Sequence, residues 1–286
     1  MSLTKPFPAD RVVPIDVQFE AVERLKFWSS KVLWGTTCLT PLISILDSEP
    51  TFQWLPEWYP ALKPLLITVN CCLIAAFAVL EFAASYQLSK AERDRRLDFL
   101  DNAFGTRYAG QTSIGYFTNE DLRPGIYKCL VNCFENNSHS LSIVQWMMPR
   151  EVFKSVVVLV VFVLTAVLGK RELVRLFFEL PLAAVVLQDA LKLFIFKQRL
   201  AHNQETMRFL FNDMRGQPFD DSRVAAAMRD ILGYETIISW AAIKLDSKMF
   251  NEHWDALAQN WEQLREQYDV RTLDYTHHEV GCASII

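Results

Sequence analysis

The chain has 286 residues, of which 51% are hydrophobic and 22% charged, with a net charge of −4. Its mean hydropathy is slightly positive, which excludes an ordinary soluble domain with evenly spread apolar residues: at this charge content they must be gathered into blocks. A bilayer core about 30 Å thick needs roughly 20 mostly apolar residues as a helix, and four such runs are present.

The first run is FWSSKVLWGTTCLTPLISIL, Phe27 to Leu46, with Trp28 and Trp34 near its start. The polar stretch before it lacks the short apolar core and small-residue site of a cleavable leader, so none is expected. The second is PLLITVNCCLIAAFAVLEFAASYQL, Pro64 to Leu88, whose proline falls in a first helical turn, where a missing N–H costs nothing. Between them DSEPTFQWLPEWYPALK is acidic and holds Trp54, Trp58 and Tyr59, which suits an outer headgroup belt.

Beyond the second run, AERDRRLDFLDNAF keeps helical spacing at Leu97, Leu100 and Phe104 and extends the span as a stalk. GTRYAGQTSIGYFTNED reads as a shaped loop. An apolar stripe at Ile126, Tyr127, Leu130, Val131 and Phe134 predicts a helix that runs toward Pro149 and feeds the third run, VFKSVVVLVVFVLTAVLG, Val152 to Gly169. That run is β-branched but too long for a strand. The fourth, LVRLFFELPLAAVVLQDALKLFIF, covers 173 to 196. After it, a helix ends near Gly216, and two more cover about Asp220 to Lys244 and Ser247 to Tyr268.

Lys and Arg flank one side of these runs: Arg24 and Lys26, then Lys90, Arg93, Arg95 and Arg96, then Arg150 and Lys154, then Lys197 and Arg199. The positive-inside rule places that side in the cytoplasm; Lys170 and Arg171, in the turn between runs three and four, are the exception. The expectation is an all-α integral membrane protein with four transmembrane helices as two hairpins and a cytoplasmic helical domain. Its parts are residues 1–26 (N-terminal segment), 27–88 (hairpin 1), 89–150 (central segment), 151–196 (hairpin 2) and 197–286 (C-terminal region), with both termini cytoplasmic. The six cysteines then lie in spans or in a reducing compartment. Cys129, Cys133 and His139 match no common zinc spacing and lack a fourth ligand, so no metal is expected. The sequon at Asn136 has no meaning in the cytoplasm.

No phosphate-binding Gly loop, H-E-x-x-H or G-x-S-x-G motif occurs. Neither an enzyme nor a cofactor is expected.

RRLDFLDNAFGT, SIGYFTNED, GIYKCLVNCFENNSHSLSI and DSKMFNEHWDALAQNWEQLREQYDV resemble the membrane effector of the Hailong system, within the four-span effectors of bacterial nucleotide-signalled antiphage defence. The resemblance implies a bacterial inner-membrane channel, homo-oligomeric and expected as a tetramer. Opening it would depolarise the infected cell in abortive infection. Control would come from an oligonucleotide made by a partner nucleotidyltransferase. An anionic oligonucleotide needs basic residues beside flat surfaces, and the candidates are Lys90, Arg93, Arg95, Arg96 and Arg107 with Tyr108, Tyr116 and Phe117. The positive-inside rule alone also accounts for basic residues after a span. The alternatives to a channel are a small membrane transporter and a non-conducting scaffold.

The fourth run carries Arg175, Glu179, Asp189 and Lys192, and charges at bilayer depth cost about 2.5–3.5 kcal/mol each. Arg175 and Lys192 can snorkel to the interfaces. Glu179 and Asp189 are too short for that and mark a paired or water-lined site. The pore-lining candidates are therefore Glu179, Asp189, Arg175 and Glu81, with Pro181 as a hinge.

Overall fold

The structure is a computed structural model that describes residues 13–46, 59–111, 113, 118–168 and 173–270; the side chains of 41, 44–46, 59–61, 165–168 and 173–186 are not described. Every element in it is helical: α1 (Asp16–Leu46), α2 (Tyr59–Phe104), α3 (Ile126–Leu168), α4 (Leu173–Asp213), α5 (Asp221–Ala241), α6 (Ser247–Glu252) and α7 (Trp254–Gln267). The all-α expectation holds.

Four helices are far longer than a bilayer requires: α1 has 31 residues, α2 46, α3 43 and α4 41. At 1.5 Å per residue α2 is about 69 Å long, more than twice the hydrocarbon thickness. The predicted stalk after the second run is continuous with it, and the helix predicted to run toward Pro149 passes through that residue into the third run without a break. The last region differs from its expected outline. Asp220 caps α5 by accepting from the Arg223 N–H. The final expected helix is broken at His253 into α6 and α7, and Asp246 caps α6.

One helix among the described residues has the length and hydropathy of a membrane span, over Leu62–Phe104, with 6% of its apolar window buried. The sequence predicts four. The apolar runs of α1, α3 and α4 each extend into positions whose side chains are not described.

α1 and α2 form an antiparallel hairpin whose register is read from three cross-links. The Gln18 amide donates to Asp94 at 2.9 Å, Lys26 and Ser29 reach Glu81, and Asn70 donates to Thr40 at 3.1 Å. Leu33, Phe77 and Val158 form a small apolar cluster where α3 meets this pair. The main core lies at the other ends of the long helices. There Phe134 is enclosed by the rings of Phe211, Trp261 and Tyr268, at centroid distances of 5.0, 5.7 and 5.8 Å. Leu200 and Met207 of α4, Ile231 and Tyr234 of α5 and Leu257 of α7 complete it. All five residues of the predicted α3 stripe belong to or pack on this core. α5 crosses α4 at Gly233, where an added Cβ would lie 2.7 Å from Asn203 Oδ1.

Candidate functional site

Two groups of polar side chains stand out, one at the lower edge of the apolar runs and one beneath the loop after α2.

At the apolar edge, the Glu81 carboxylate of α2 accepts from Lys26 Nζ and from the Ser29 hydroxyl of α1, both at 2.5 Å. Asp189 of α4 sits in the field of Lys26, Glu81, Lys154 and Lys192, and Lys154 lies 3.5 Å from Glu151 on α3. Each long helix therefore contributes a charged group at one level. Two of the predicted pore-lining residues, Glu81 and Asp189, are brought into this cluster, each reaching it from a different hairpin. Arg175 and Glu179 lie on α4 with side chains outside the described residues. Pro181 is in the same stretch, and α4 is helical through that position. Sequence reading passed over Lys26 and Ser29 as partners of Glu81, because the pair is 55 residues apart and only the hairpin register joins them. In an apolar setting such pairing offsets a charge that would otherwise be costly.

The basic residues after the second run divide into two sets. Lys90 and Arg93 are exposed, Arg93 beside Asp94 at 3.6 Å. Arg95 turns inward, its Nε on Glu92 at 2.8 Å and its Nη2 on both oxygens of Glu235 in α5, at 3.1 and 2.9 Å. Arg96 donates to Glu235 at 2.8 Å and to the Ser239 hydroxyl at 2.6 Å. Burial works against the Arg95 charge, but Glu92 and Glu235 outweigh it and raise its pKa. These two guanidinium groups join α2 to α5, so they serve packing as seen here, while Lys90 and Arg93 face outward.

Arg107 and Tyr108 are exposed on the loop, Tyr108 68% so. The loop is shaped as its composition predicts. Buried Asp101, at the end of α2, accepts from the Thr106 hydroxyl and from the Tyr108 and Ala109 N–H groups, each at 2.7 Å. Burial would raise that carboxyl, and the three donors outweigh burial and hold it below the usual range. Asp98 accepts from the Ser113 N–H at 2.9 Å. Gly105, with φ +69°, makes the turn into the loop. Tyr116 and Phe117 lie outside the described residues.

Beneath the loop is a network that sequence reading missed. The Asn119 amide donates to Asn132 Oδ1 at 3.0 Å and to Glu135 Oε2 at 2.7 Å; the Thr118 hydroxyl holds the other Glu135 oxygen at 2.7 Å. Asn132 in turn donates to Asn102 at 2.9 Å, and Asn102 to Glu120 at 2.7 Å. Burial lifts the Glu135 carboxyl to about 7 against the hydrogen bonds that favour its charge. The available signal was spacing: Lys128, Asn132, Glu135 and His139 recur along one face of α3 at helical intervals, a polar stripe beside the apolar one.

Cys129 and Cys133 are buried one turn apart on α3, and burial pushes the Cys133 thiol up. His139 faces Phe250 and Trp254 instead, and burial lowers its imidazole to about 4. Among the described residues no group of three or more His, Cys, Asp or Glu side chains is placed to hold a metal ion.

No family model matches the chain, and comparisons with curated proteins and with solved structures find no match.

Proposed function

We propose that this protein is a membrane channel, assembled from copies of the chain in a bacterial inner membrane and controlled through its helical cytoplasmic region. One observation supports it above others: most of the exposed large apolar side chains gather in four bands, one on each long helix, with Phe209 and Leu232 among those that lie elsewhere. Phe27, Trp28 and Leu42 form the band on α1; Leu65, Val79 and Phe82 that on α2; Phe153, Val156 and Val160 that on α3; and Leu187, Leu191 and Phe194 that on α4. The continuations of α2, α3 and α4 beyond these bands enter the buried core. An apolar surface of this extent on four neighbouring helices needs lipid or protein against it. On this reading α1, α3 and α4 cross the bilayer together with α2, and the Lys and Arg residues flanking the apolar runs favour both termini on the cytoplasmic side. Charges from all four helices at one level, Glu81 and Asp189 among them, support a conducting protein over a scaffold, because they would gather at one mouth of a pore.

Membership of the nucleotide-signalled antiphage effectors, and control by an oligonucleotide from a partner nucleotidyltransferase, rest on the sequence resemblance alone. Lys90, Arg93, Arg107 and Tyr108 are the exposed groups suited to such a ligand. The chain is proposed to carry no enzymatic activity of its own.

Reversal potentials of the reconstituted protein in a planar bilayer under a salt gradient test the channel. The wild type should conduct with cation preference, Glu179→Gln should reduce that preference, and Asp189→Asn should reduce it less if Asp189 lies in a wider vestibule. Absence of current from a folded, membrane-inserted oligomer at any ligand concentration refutes the proposal; unaltered selectivity in Glu179→Gln removes Glu179 from the pore.

A further inference from the structure

The segment between α5 and α6 runs Ala242-Ile243-Lys244-Leu245-Asp246 and alternates in what it touches. Ile243 and Leu245 pack on the main cytoplasmic core. Lys244 and Asp246 point the other way, to the long helices. Lys244 pairs with Glu23 of α1. Asp246 accepts from Arg150 of α3 at 3.0 Å while also capping α6 through the Lys248 and Met249 N–H groups. Alternation of this kind is what an extended strap gives, with successive side chains on opposite sides. Its start is fixed as well. Ala242 takes the left-handed conformation, φ 47°, and its N–H returns to the Ile238 carbonyl.

Both membrane-side partners are placed to pass a movement on. Glu23 is three residues from Lys26, so the two share a face of α1, and Lys26 holds Glu81 in the boundary cluster. Arg150 follows Pro149 inside α3. Burial alone would raise the Glu23 carboxyl, but hydrogen bonds from Lys244 and Ser247 outweigh it and hold it below the ordinary carboxylate range. On the cytoplasmic side the strap continues α5, which is tied to α2 through Glu235 and to α4 through Arg199 stacked 4.1 Å over the Trp240 ring.

We propose that residues 242–246 are the coupling strap of this protein: a shift of α5 is delivered through Lys244 and Glu23 to the first turns of α1, and from there through Lys26 to the Glu81 carboxylate, with Asp246 and Arg150 holding the entry of α3 in step. Glu23, Lys244 and Lys26 are positioning residues; none of them touches a permeating ion in this scheme. The consequence at Glu81 rests on the channel reading, whereas the strap's hold on α1 does not.

The test uses the full chain in lipid nanodiscs and in planar bilayers, comparing Lys244→Glu, Glu23→Lys and the exchanged pair Glu23→Lys with Lys244→Glu. Amide exchange is read on peptides covering α1 from Asp16 to Ser29. Each single reversal should raise exchange there about tenfold and change the open fraction of the channel by about tenfold with unitary conductance and selectivity unaltered. The exchanged pair should restore both. Unchanged exchange in the single variants overturns the proposal, as does raised exchange with an unaltered open fraction in a conducting protein. If the wild type itself does not conduct, the channel reading fails, and exchange alone decides the strap: restoration by the exchanged pair upholds it, and lack of restoration overturns it. Should Lys244→Glu fail to fold, Lys244→Met and Glu23→Gln, which remove one charge each, replace the single reversals: each should raise exchange in α1, and combining them should add little to either alone, whereas unchanged exchange in both, or effects that simply add, overturns the strap.

Discussion

Gly233 offers a prediction in which two effects of opposite sign can be separated. In a helix interior, alanine is favoured over glycine by about 0.8–1 kcal/mol, so Gly233→Ala in isolation would stabilise α5. Its Cβ, however, would stand 2.7 Å from Asn203 Oδ1 across the α4–α5 contact, a separation that forces the amide to move. Asn203 is buried and its Nδ2 sits 3.7 Å from the Met207 sulfur, so movement gives up that contact and presses on packed neighbours. Overpacking of this kind costs roughly 1–3 kcal/mol. The net expectation is destabilisation of about 1 kcal/mol, read as a fall in the thermal midpoint on the order of 2–4 °C. Replacing Asn203 by Ala removes the obstructing oxygen. In the Asn203→Ala background the same Gly233→Ala change should turn stabilising, by up to about 1 kcal/mol, because only the helical preference remains. Four proteins in one detergent, followed by tryptophan fluorescence on heating, supply the cycle. A stabilising Gly233→Ala in the native background would show that the helices are not this close, and the same sign in both backgrounds would show that Asn203 is not the obstacle.

Glu135 and His139 give the stability a pH signature. With its pKa at about 7 instead of 4.5, folded Glu135 keeps a proton that the unfolded chain has lost, so stability falls as pH rises from about 4.5 to about 7, by about 3 kcal/mol at most. His139, at about 4 instead of 6.5, acts in the opposite sense, and the stability it contributes is lost as pH falls through that range. The slopes oppose each other between pH 4.5 and 6.5, so Glu135→Gln should convert a nearly level profile of thermal midpoint into one that climbs with pH; a level profile in the variant would refute the assignment. Ala242→Gly should raise the midpoint, because glycine relieves a left-handed conformation costing about 1 kcal/mol, and a fall would show that the Ala242 methyl makes a contact worth more than the strain.

The long helices were legible because apolar run length and helical spacing are local properties. The stripe from Ile126 to Phe134 announced the α3 core face, and the charged stretch after Leu88 announced an extension with no break. Pairings were not legible. Arg95 and Glu235 are 140 residues apart and Lys244 and Glu23 are 221 apart in number, and nothing local distinguishes an inward guanidinium from an outward one. Arg93 and Arg95, two positions apart on α2, have different fates because 200° of helical rotation separates them. The break within the last expected helix was not foreseen, for a related reason. Asp246 and His253 mark the caps and the break, yet the apolar pattern runs across His253 without interruption because α6 and α7 both pack on the same core.

The contrast between α2 and α3 has a mechanical consequence. From the apolar band to its end at Phe104, α2 contains neither proline nor glycine, so it behaves as an axle that turns or tilts as one piece. α3 carries Pro149 where its core-packed and apolar halves meet, and there the hydrogen bond to the Gln145 carbonyl is missing. That position is the weakest point of the α3 backbone ladder. A displacement at the core-packed end of α2 is carried along an unbroken helix, whereas α3 lacks one backbone hydrogen bond at Pro149, so α2 and α3 can respond by different amounts to a single displacement.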